Sequence, residues 1–143
     1  MRELTVDQFT KEDLYNLGLS EKELFIYTQV HYTFPCWTVR HGQEVIFCGG
    51  VQRILPQVGE AWLIFAEKGR EYVAAFRTAR ELVQSSRKYF LRIQSTADPA
   101  VKENVRFLEH LGFEYEGTLR RYGMKGQDMR MYSILGEGGD DAV

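Results

Sequence analysis

The chain changes from a helical to a strand pattern within a few residues of Gly112. Before that glycine, four apolar residues recur at helical spacing: Val101, Val105, Leu108 and Leu111. We expect Gly112 to adopt the left-handed conformation that ends a helix, with Phe113 folding back against the last turn. A helix that turns directly into a strand in this way is typical of a mixed α/β domain.

The segment after the glycine alternates strictly between two kinds of side chain. One predicted face carries Phe113, Tyr115, Gly117 and Leu119, and the charged or polar residues between them form the other face. The polar stretch "YGMKGQD" follows, and "MRMYSIL" then returns as a second strand-like run. The pattern predicts an antiparallel hairpin.

The first 35 residues predict one short strand and two helices. "RELTV" is strand-like, and Thr10 is a candidate N-cap for "KEDLYNL", which Gly18 would end. Ser20 and Glu23 form a capping-box pattern ahead of "LFIYTQVHY". Pro35 closes this region.

Three strands are expected next. "CWTVR" and "VIFCGGVQRIL" flank "HGQE", which is typical of a hairpin. Gly49 and Gly50 inside the second run predict a bulge or a close approach of another backbone segment. "EAWLIFA" is a continuous apolar run after its first glutamate, so we expect a central strand covered on both faces.

The second half of the chain begins with a helical pattern from Arg70 to Phe90, followed by the short strand "LRIQS". Asp98 is then a candidate N-cap, with Pro99 at the first helical position. The order is therefore strand, two helices, three strands, helix, strand, helix, two strands. We expect a single mixed α/β domain over residues 1–135 and a flexible tail over residues 136–143.

Composition excludes several classes of function. The 143 residues are 44% hydrophobic with a net charge of only −2, so the chain predicts a packed globule without the basic field that favours nucleic acid or anionic membranes. No apolar run is long enough for a membrane helix, and the N-terminus lacks a signal-like core. We expect a soluble, cytoplasmic protein. The two cysteines predict reduced thiols, and the three histidines have no spacing typical of a metal site.

The corner and the element order together resemble a known fold. "FLEHLGFEYEG", a polar hairpin and "DMRMYSIL" are similar to the C-terminal signature of GCN5-related N-acetyltransferases (GNAT), and the element order resembles that family over essentially the whole chain. The resemblance implies a GNAT-like fold with seven strands and four helices, acetyl-CoA as cofactor, and a small-molecule or protein amine as acceptor. It also implies that the strand over Glu60–Ala66 diverges from that over Leu91–Ser95.

A closer resemblance involves "GEAWLIFAEKGREYVAAFRTAREL", which is similar to GNAT-like proteins of tailed phages, including the internal virion protein of short-tailed coliphages. This similarity implies a phage or prophage origin, and it adds other virion proteins as candidate partners. A homodimer is one oligomeric state compatible with the sequence.

The family usually holds the coenzyme A pyrophosphate with Gln/Arg-x-x-Gly-x-Gly/Ala between its fourth strand and the long helix. Here the corresponding segment is "AEKGREYV", which keeps one glycine between two cations but lacks the second glycine. A phosphate cradle and an ordinary loop with solvated charges both fit this segment. The resemblance places the candidate pyrophosphate-binding residues at Lys68, Gly69, Arg70, Glu71 and Tyr72.

Other family positions are altered. Val101 and Leu108 occupy the places of the usual Asn and of the Tyr acid, and Asn104 is the nearest substitute, one turn further along the helix. The fourth strand needs no side chain to offer backbone N–H groups to a thioester carbonyl, so the cofactor-binding candidates also include Leu63, Ile64 and Phe65.

Acetyl transfer to an amine needs a base and a proton donor. Glu60 is the best carboxylate candidate for the base, and an exposed glutamate at a strand end is the alternative interpretation. Tyr122 or Tyr132 is the candidate acid, with aromatic packing as the alternative role, whereas Trp62 is expected in the core. No nucleophile suggests a covalent intermediate, so we expect the amine to attack directly. Two functions stay open: an N-acetyltransferase, or a catalytically inactive GNAT-fold phage structural or host-interaction protein.

Overall fold

The computed structural model describes residues 3–139 of the chain. Its strands are β1 (Thr5–Gln8), β2 (Cys36–His41), β3 (Glu44–Leu55), β4 (Val58–Phe65), β5 (Arg92–Ala97), β6 (Glu114–Leu119) and β7 (Met129–Leu135). The α-helices are α1 (Glu21–Thr28), α2 (Val73–Ser85) and α3 (Lys102–Leu111). Short 3-10 helices occupy Lys11–Asn16, Glu67–Glu71 and Ser86–Tyr89.

The seven strands form one mixed sheet in the order β1-β2-β3-β4-β5-β7-β6. The pair β4–β5 is parallel, and the pairs β1–β2, β2–β3, β5–β7 and β6–β7 are antiparallel. The predicted mixed α/β fold with seven strands is confirmed. The first predicted helix is a 3-10 helix, and the predicted long helix from Arg70 to Phe90 is α2 with a 3-10 turn at each end.

The described chain forms two compact units. The first contains residues 3–52 and 62–79, and the second contains residues 53–61 and 80–139. Strands β3 and β4 each contribute residues to both units. The single domain over residues 1–135 stays a prediction. Among the residues described, no helix combines the length and the apolar composition that crossing a membrane requires.

Side-chain caps organise the start of the first unit. The Ser20 hydroxyl accepts from the Glu23 amide at 3.2 Å, and the Glu23 carboxylate accepts from the Ser20 amide at 3.1 Å, so the predicted capping box is confirmed. The helix ends at Thr28 rather than at the predicted Tyr32. The next residues leave it because the Gln52 side chain bonds both to the Thr33 amide and to the His31 carbonyl.

The core of the first unit lies beside the 3-10 helix Lys11–Asn16 and beside α1. Its buried members are Phe9, Leu14, Leu17, Val45 and Cys48, and partly buried side chains such as Trp62 pack against them. Gly49 and Gly50 lie where another segment approaches β3 closely, which was one of the two predicted roles of these glycines. A Cβ on Gly49 would collide with Leu63, and one on Gly50 would lie 2.7 Å from the Pro35 carbonyl oxygen.

A buried carboxylate connects the 3-10 helix Lys11–Asn16 to β2. Asp13 accepts from the Thr38 hydroxyl at 2.6 Å and from the Arg40 guanidinium at 2.7 Å, and it also accepts from the Thr10 amide. Burial raises the pKa of Asp13, but the hydrogen bonds from Thr38 and Thr10 and the charge of Arg40 outweigh burial and lower that pKa below its usual 3.8.

The second unit contains the helix-to-strand corner. Gly112 has φ +103°, its amide donates to the Glu109 carbonyl at 3.0 Å, and the Phe113 amide donates to the Leu108 carbonyl at 3.0 Å. Phe113 is buried, so the predicted corner is confirmed. The strict alternation predicted after it is interrupted, because Tyr115 pairs with Tyr132 while Gly117 pairs with Met131, leaving Glu116 as a bulge residue.

The predicted start of α3 is wrong. Asp98 forms a local turn, in which its carboxylate accepts from the Ala100 amide at 2.9 Å and its carbonyl accepts from the Val101 amide at 3.0 Å. The helix begins only at Lys102. Val101 therefore lies outside the helix and is exposed, although it was expected in the buried stripe.

Two further predictions concern the sheet and the tail. The parallel ladder of β4 and β5 contains three residue pairs and ends at Glu60 with Gln94, so full-length pairing is absent, as expected. The amides of Gly136, Glu137 and Gly138 bond to carbonyls of Leu91, Arg87 and Phe90, so this part of the predicted tail is held in place. Residues 140–143 lie outside the described residues, and a flexible tail stays a prediction for them.

Replacing Gly112 with valine should destabilise the chain by about 1–3 kcal/mol, because a β-branched residue is strained at positive φ. The new Cβ would also displace the Gln84 side chain, which donates to the Leu111 carbonyl at 2.8 Å. Gly117→Val is a matched control, since no atom lies within 4 Å of its added Cβ and its φ is not positive. Equal urea midpoints for the two variants would contradict this account of the corner.

Asp13→Asn should lower the free energy of unfolding at neutral pH by about 1–3 kcal/mol through loss of charge-assisted hydrogen bonds. Because the pKa of Asp13 is depressed in the folded state, its contribution is present above about pH 4 and is lost as pH falls through the folded pKa. The difference between wild type and variant should therefore shrink in acid. Asp7→Asn removes the exposed partner of Arg40 and should change stability little; a pH-independent difference for Asp13→Asn would refute the assignment.

Candidate functional site

A bulge in β3 organises the end of β4. Val39 pairs with Phe47 and Arg40 pairs with Val45, which leaves Ile46 as the extra residue on β3. The Ile46 carbonyl accepts a hydrogen bond from the Ala66 amide at 2.9 Å. The first residue after β4 is therefore fixed to the bulge.

The same carbonyl explains the one glycine in the junction between β4 and α2. Gly69 is buried, and a Cβ at this position would collide with the Ile46 carbonyl oxygen. Its amide donates to the Ala66 carbonyl at 2.8 Å. Close packing on β3 therefore requires a glycine here, and the Gly69 amide already has a partner.

The junction is a 3-10 helix followed directly by α2. The Tyr72 amide donates to the Gly69 carbonyl at 3.2 Å, and the Ala75 amide donates to the Tyr72 carbonyl at 3.0 Å. Gly69 and Tyr72 thus lack the open amides expected of a phosphate cradle. Helix geometry instead leaves the amides of Val73 and Ala74, in the first turn of α2, without a carbonyl partner inside the helix.

Both signs of charge surround this junction. Lys68 and Arg70 are exposed, as are Glu67 and Glu71 on either side of them. The Arg70 guanidinium lies 5.8 Å from the centre of the Phe65 ring, which orients it toward the end of β4.

Two aromatic side chains of the candidate site, Tyr72 and Phe65, pack against neighbouring rings. Tyr72 has its hydroxyl 3.5 Å from Nδ1 of His41, and the two rings are 5.1 Å apart. Phe65 packs between Phe47 and Phe76, with ring centres 5.0 Å and 5.4 Å away. These contacts fix the backbone on both sides of the 3-10 helix.

The backbone of β4 supplies the candidate thioester contacts. Because the Ala66 amide faces β3 and strand residues alternate, the Ile64 amide also faces β3, whereas the amides of Leu63 and Phe65 face away from it. Leu63 and Phe65 are thus the candidates with an N–H group directed away from the β3 ladder.

The remaining candidates belong to the second unit. Glu60 is half-buried on β4, where it pairs with Gln94, and its carboxylate has no hydrogen-bond or ion-pair partner within residues 3–139. Asn104 is exposed in the first turn of α3. Tyr122 is 62% exposed in the loop between β6 and β7, whereas Tyr132 is buried at 1% exposure. Of the two tyrosines, only Tyr122 has a hydroxyl open to a ligand.

A pocket of 240 Å³ in the first unit was not predicted from the sequence. It is lined by Gln8, Phe9, Lys11, His31, Tyr32, Phe34 and Cys36. Phe9 and Tyr32 also contact Trp62, with ring centres 5.2 Å and 4.7 Å away. Trp62 directly precedes Leu63, so one aromatic layer connects the pocket to the candidate thioester contact. The aromatic residues at 9, 32 and 34 have no regular spacing that would have revealed this pocket.

Trp62 is packed against the core, as expected, but its indole N–H is buried without a hydrogen-bond acceptor among the described residues. Such a group carries a desolvation cost. A ligand carbonyl or hydroxyl that accepts a hydrogen bond from this N–H group, beside Phe9 and Tyr32, would offset that cost.

The cysteines do not favour a covalent acyl intermediate. Burial raises the pKa of the Cys36 thiol, and burial raises that of Cys48 to about 12 despite a contact with Thr38. Both sulfurs are therefore protonated at neutral pH, whereas the thiolate is the reactive form. Within residues 3–139, no group of three or more His, Cys, Asp or Glu side chains is arranged to hold a metal ion.

Comparison with solved structures identifies the fold. The chain is 18% identical to a point mutant of the spermidine N-acetyltransferase SpeG from Vibrio cholerae, with 92% of this chain and 93% of that one covered and a TM-score of 0.73. A GNAT-family acetyltransferase from Bacillus anthracis gives 17% identity, coverage of 94% and 96%, and a TM-score of 0.72. An IAA acetyltransferase from Bacillus cereus gives 15% identity, coverage of 93% and 99%, and a TM-score of 0.71.

Sequence comparisons add nothing to this result, because no protein-family model and no curated protein matches the chain. The three structural neighbours are acetyltransferases, and they lend no support to the closer resemblance to phage proteins. At such low identity they establish the architecture alone. The chain has the mixed α/β fold of the GCN5-related N-acetyltransferases.

Proposed function

We propose that the chain binds acetyl-CoA at the end of β4 and transfers the acetyl group directly to an amine. The observation that carries this proposal is the backbone of the first unit, where Leu63 and Phe65 direct amides away from β3 and Val73 and Ala74 offer amides at the start of α2. The GNAT fold supports it, since its structural neighbours are acetyltransferases.

In this proposal each group of residues has its own role. The amides of Leu63 and Phe65 hold the thioester carbonyl and stabilise the oxyanion that develops on it. Lys68 and Arg70 neutralise the pyrophosphate, and the positive end of α2 supplies open amides. The residues Ile64, Gly69, Glu71 and Tyr72 act by shaping the backbone rather than by donating to the ligand. When bound, acetyl-CoA supplies the activated acyl group.

The groups proposed for proton transfer are the predicted base, Glu60, and the predicted acid, Tyr122. Glu60 takes a proton from the attacking amine, since its carboxylate has no competing partner in the described chain. Tyr122 returns a proton to the leaving thiolate, because its hydroxyl is exposed whereas Tyr132 is buried. Asn104 is the remaining candidate for a polar contact with the cofactor. The protonated cysteines support direct attack rather than an acyl-enzyme.

A second candidate function is a GNAT-shaped binding protein without catalysis. Two observations favour it. The single junction glycine is explained by packing on Ile46, and Leu108, in the place of the family's tyrosine acid, is a buried apolar residue at 7% exposure. A phage structural or host-interaction role would be one instance of this candidate, although no structural observation favours a phage origin.

Calorimetry with acetyl-CoA distinguishes the two candidates. If the proposal holds, wild type should bind, and Lys68→Glu with Arg70→Glu should weaken binding tenfold or more, since each charge-assisted contact is worth about 1.5–3 kcal/mol. Lys22→Glu with Arg120→Glu changes the net charge equally at exposed residues that are not part of this junction, and it should leave binding intact.

The alternative results have separate meanings. No heat of binding by wild type at millimolar acetyl-CoA would support the non-catalytic candidate. Binding that survives the Lys68 and Arg70 changes would place the cofactor elsewhere and refute the site. An equal loss of acetyl-CoA affinity in both double variants would show that the effect comes from net charge alone.

A further inference from the structure

Three cations line one pocket of the second unit, and none of them is among the residues proposed to bind acetyl-CoA. The pocket has a volume of 310 Å³ and is lined by Pro99, Lys102, Val105, Arg106, Glu109 and Arg130. Lys102 and Arg106 are four residues apart, so they lie on the same face of α3. Arg130 reaches the pocket from β7.

None of these three cations forms an ion pair within the described chain. No carboxylate within residues 3–139 lies at ion-pair distance from Lys102, Arg106 or Arg130, although the pocket contains Glu109. By contrast, Arg40 and Arg92 are both paired with carboxylates. Three cations beside one carboxylate leave an excess of positive charge, and a bound anion would reduce the repulsion between the cations. The pocket is therefore electrostatically suited to an anionic ligand.

The pocket is also partly preorganised. The Arg130 guanidinium lies 5.5 Å from the centre of the Tyr115 ring, which restrains the side chain. Lys102 is the first residue of α3, where the helix dipole favours negative charge. Val105 and Pro99 provide an apolar wall. Two guanidinium groups and one ammonium group are the donors that phosphate groups prefer.

We propose that this pocket binds the phosphate group of a small phosphate monoester. Its volume suits a compact molecule, and the carboxylate of Glu109 would accept a hydrogen bond from a hydroxyl or ammonium group on the rest of the ligand. None of the residues that line this pocket is assigned a part in the proposed acetyl transfer, although Asn104, a candidate cofactor contact, lies on α3 between Lys102 and Arg106.

Glycerol 3-phosphate is a suitable probe, because it combines a phosphate monoester with two hydroxyl groups. Calorimetry with the full chain should detect binding. Arg106→Gln with Arg130→Gln should weaken it at least tenfold, whereas Arg77→Gln with Arg120→Gln, which removes the same charge from exposed positions outside the pocket, should leave it unchanged. Circular dichroism confirms that each variant is folded. Arg106→Lys keeps the positive charge and should therefore bind the probe better than Arg106→Gln does.

Several results would overturn the proposal: no binding at millimolar probe, equal losses in both arginine pairs, or equal affinity for glycerol without the phosphate. Lys68→Glu with Arg70→Glu separates this site from the acetyl-CoA site. That variant should bind the probe like wild type, and loss of the probe in it would show that the phosphate binds at the junction between β4 and α2 instead.

Discussion

The backbone carbonyl of Ile46 fixes the geometry of the candidate site, because two parts of the chain meet it. The Ala66 amide donates to it at 2.9 Å, and Gly69 packs so closely against it that no side chain fits. The carbonyl takes this position because Ile46 is the extra residue of a bulge between β2 and β3. The path from β4 into α2 therefore depends on an irregularity in a neighbouring strand.

This constraint changes the meaning of the glycine in "AEKGREYV". A glycine in a phosphate loop usually lets the backbone approach the ligand, whereas Gly69 lets it approach β3, and its amide is already bonded to Ala66. Anion binding at this junction then depends on side-chain charge, from Lys68 and Arg70, and on the open amides at the start of α2. Such a site relies more on flexible cations than a glycine-rich cradle does. Its pyrophosphate affinity should accordingly be more sensitive to salt.

Local signals in the sequence predicted the features that depend on neighbouring residues. Gly112 ends α3 and Ser20 caps α1 because both motifs are complete within a few residues. The bulge at Ile46 depends on the pairing register of two strands, which no local pattern encodes. Asp98 was misassigned as a helix cap because the same side chain also stabilises a turn. The pocket beside Phe9 combines distant segments and could be found only from the fold.

An NMR titration that follows assigned backbone amides can locate acetyl-CoA at the end of β4 and the start of α2. Binding there should produce the largest shifts at Leu63, Phe65, Lys68, Val73 and Ala74, with smaller changes at Gly69, whose amide is already bonded. Unchanged amide positions at millimolar acetyl-CoA, or shifts confined to residues 80–139, would show that acetyl-CoA does not bind through this backbone.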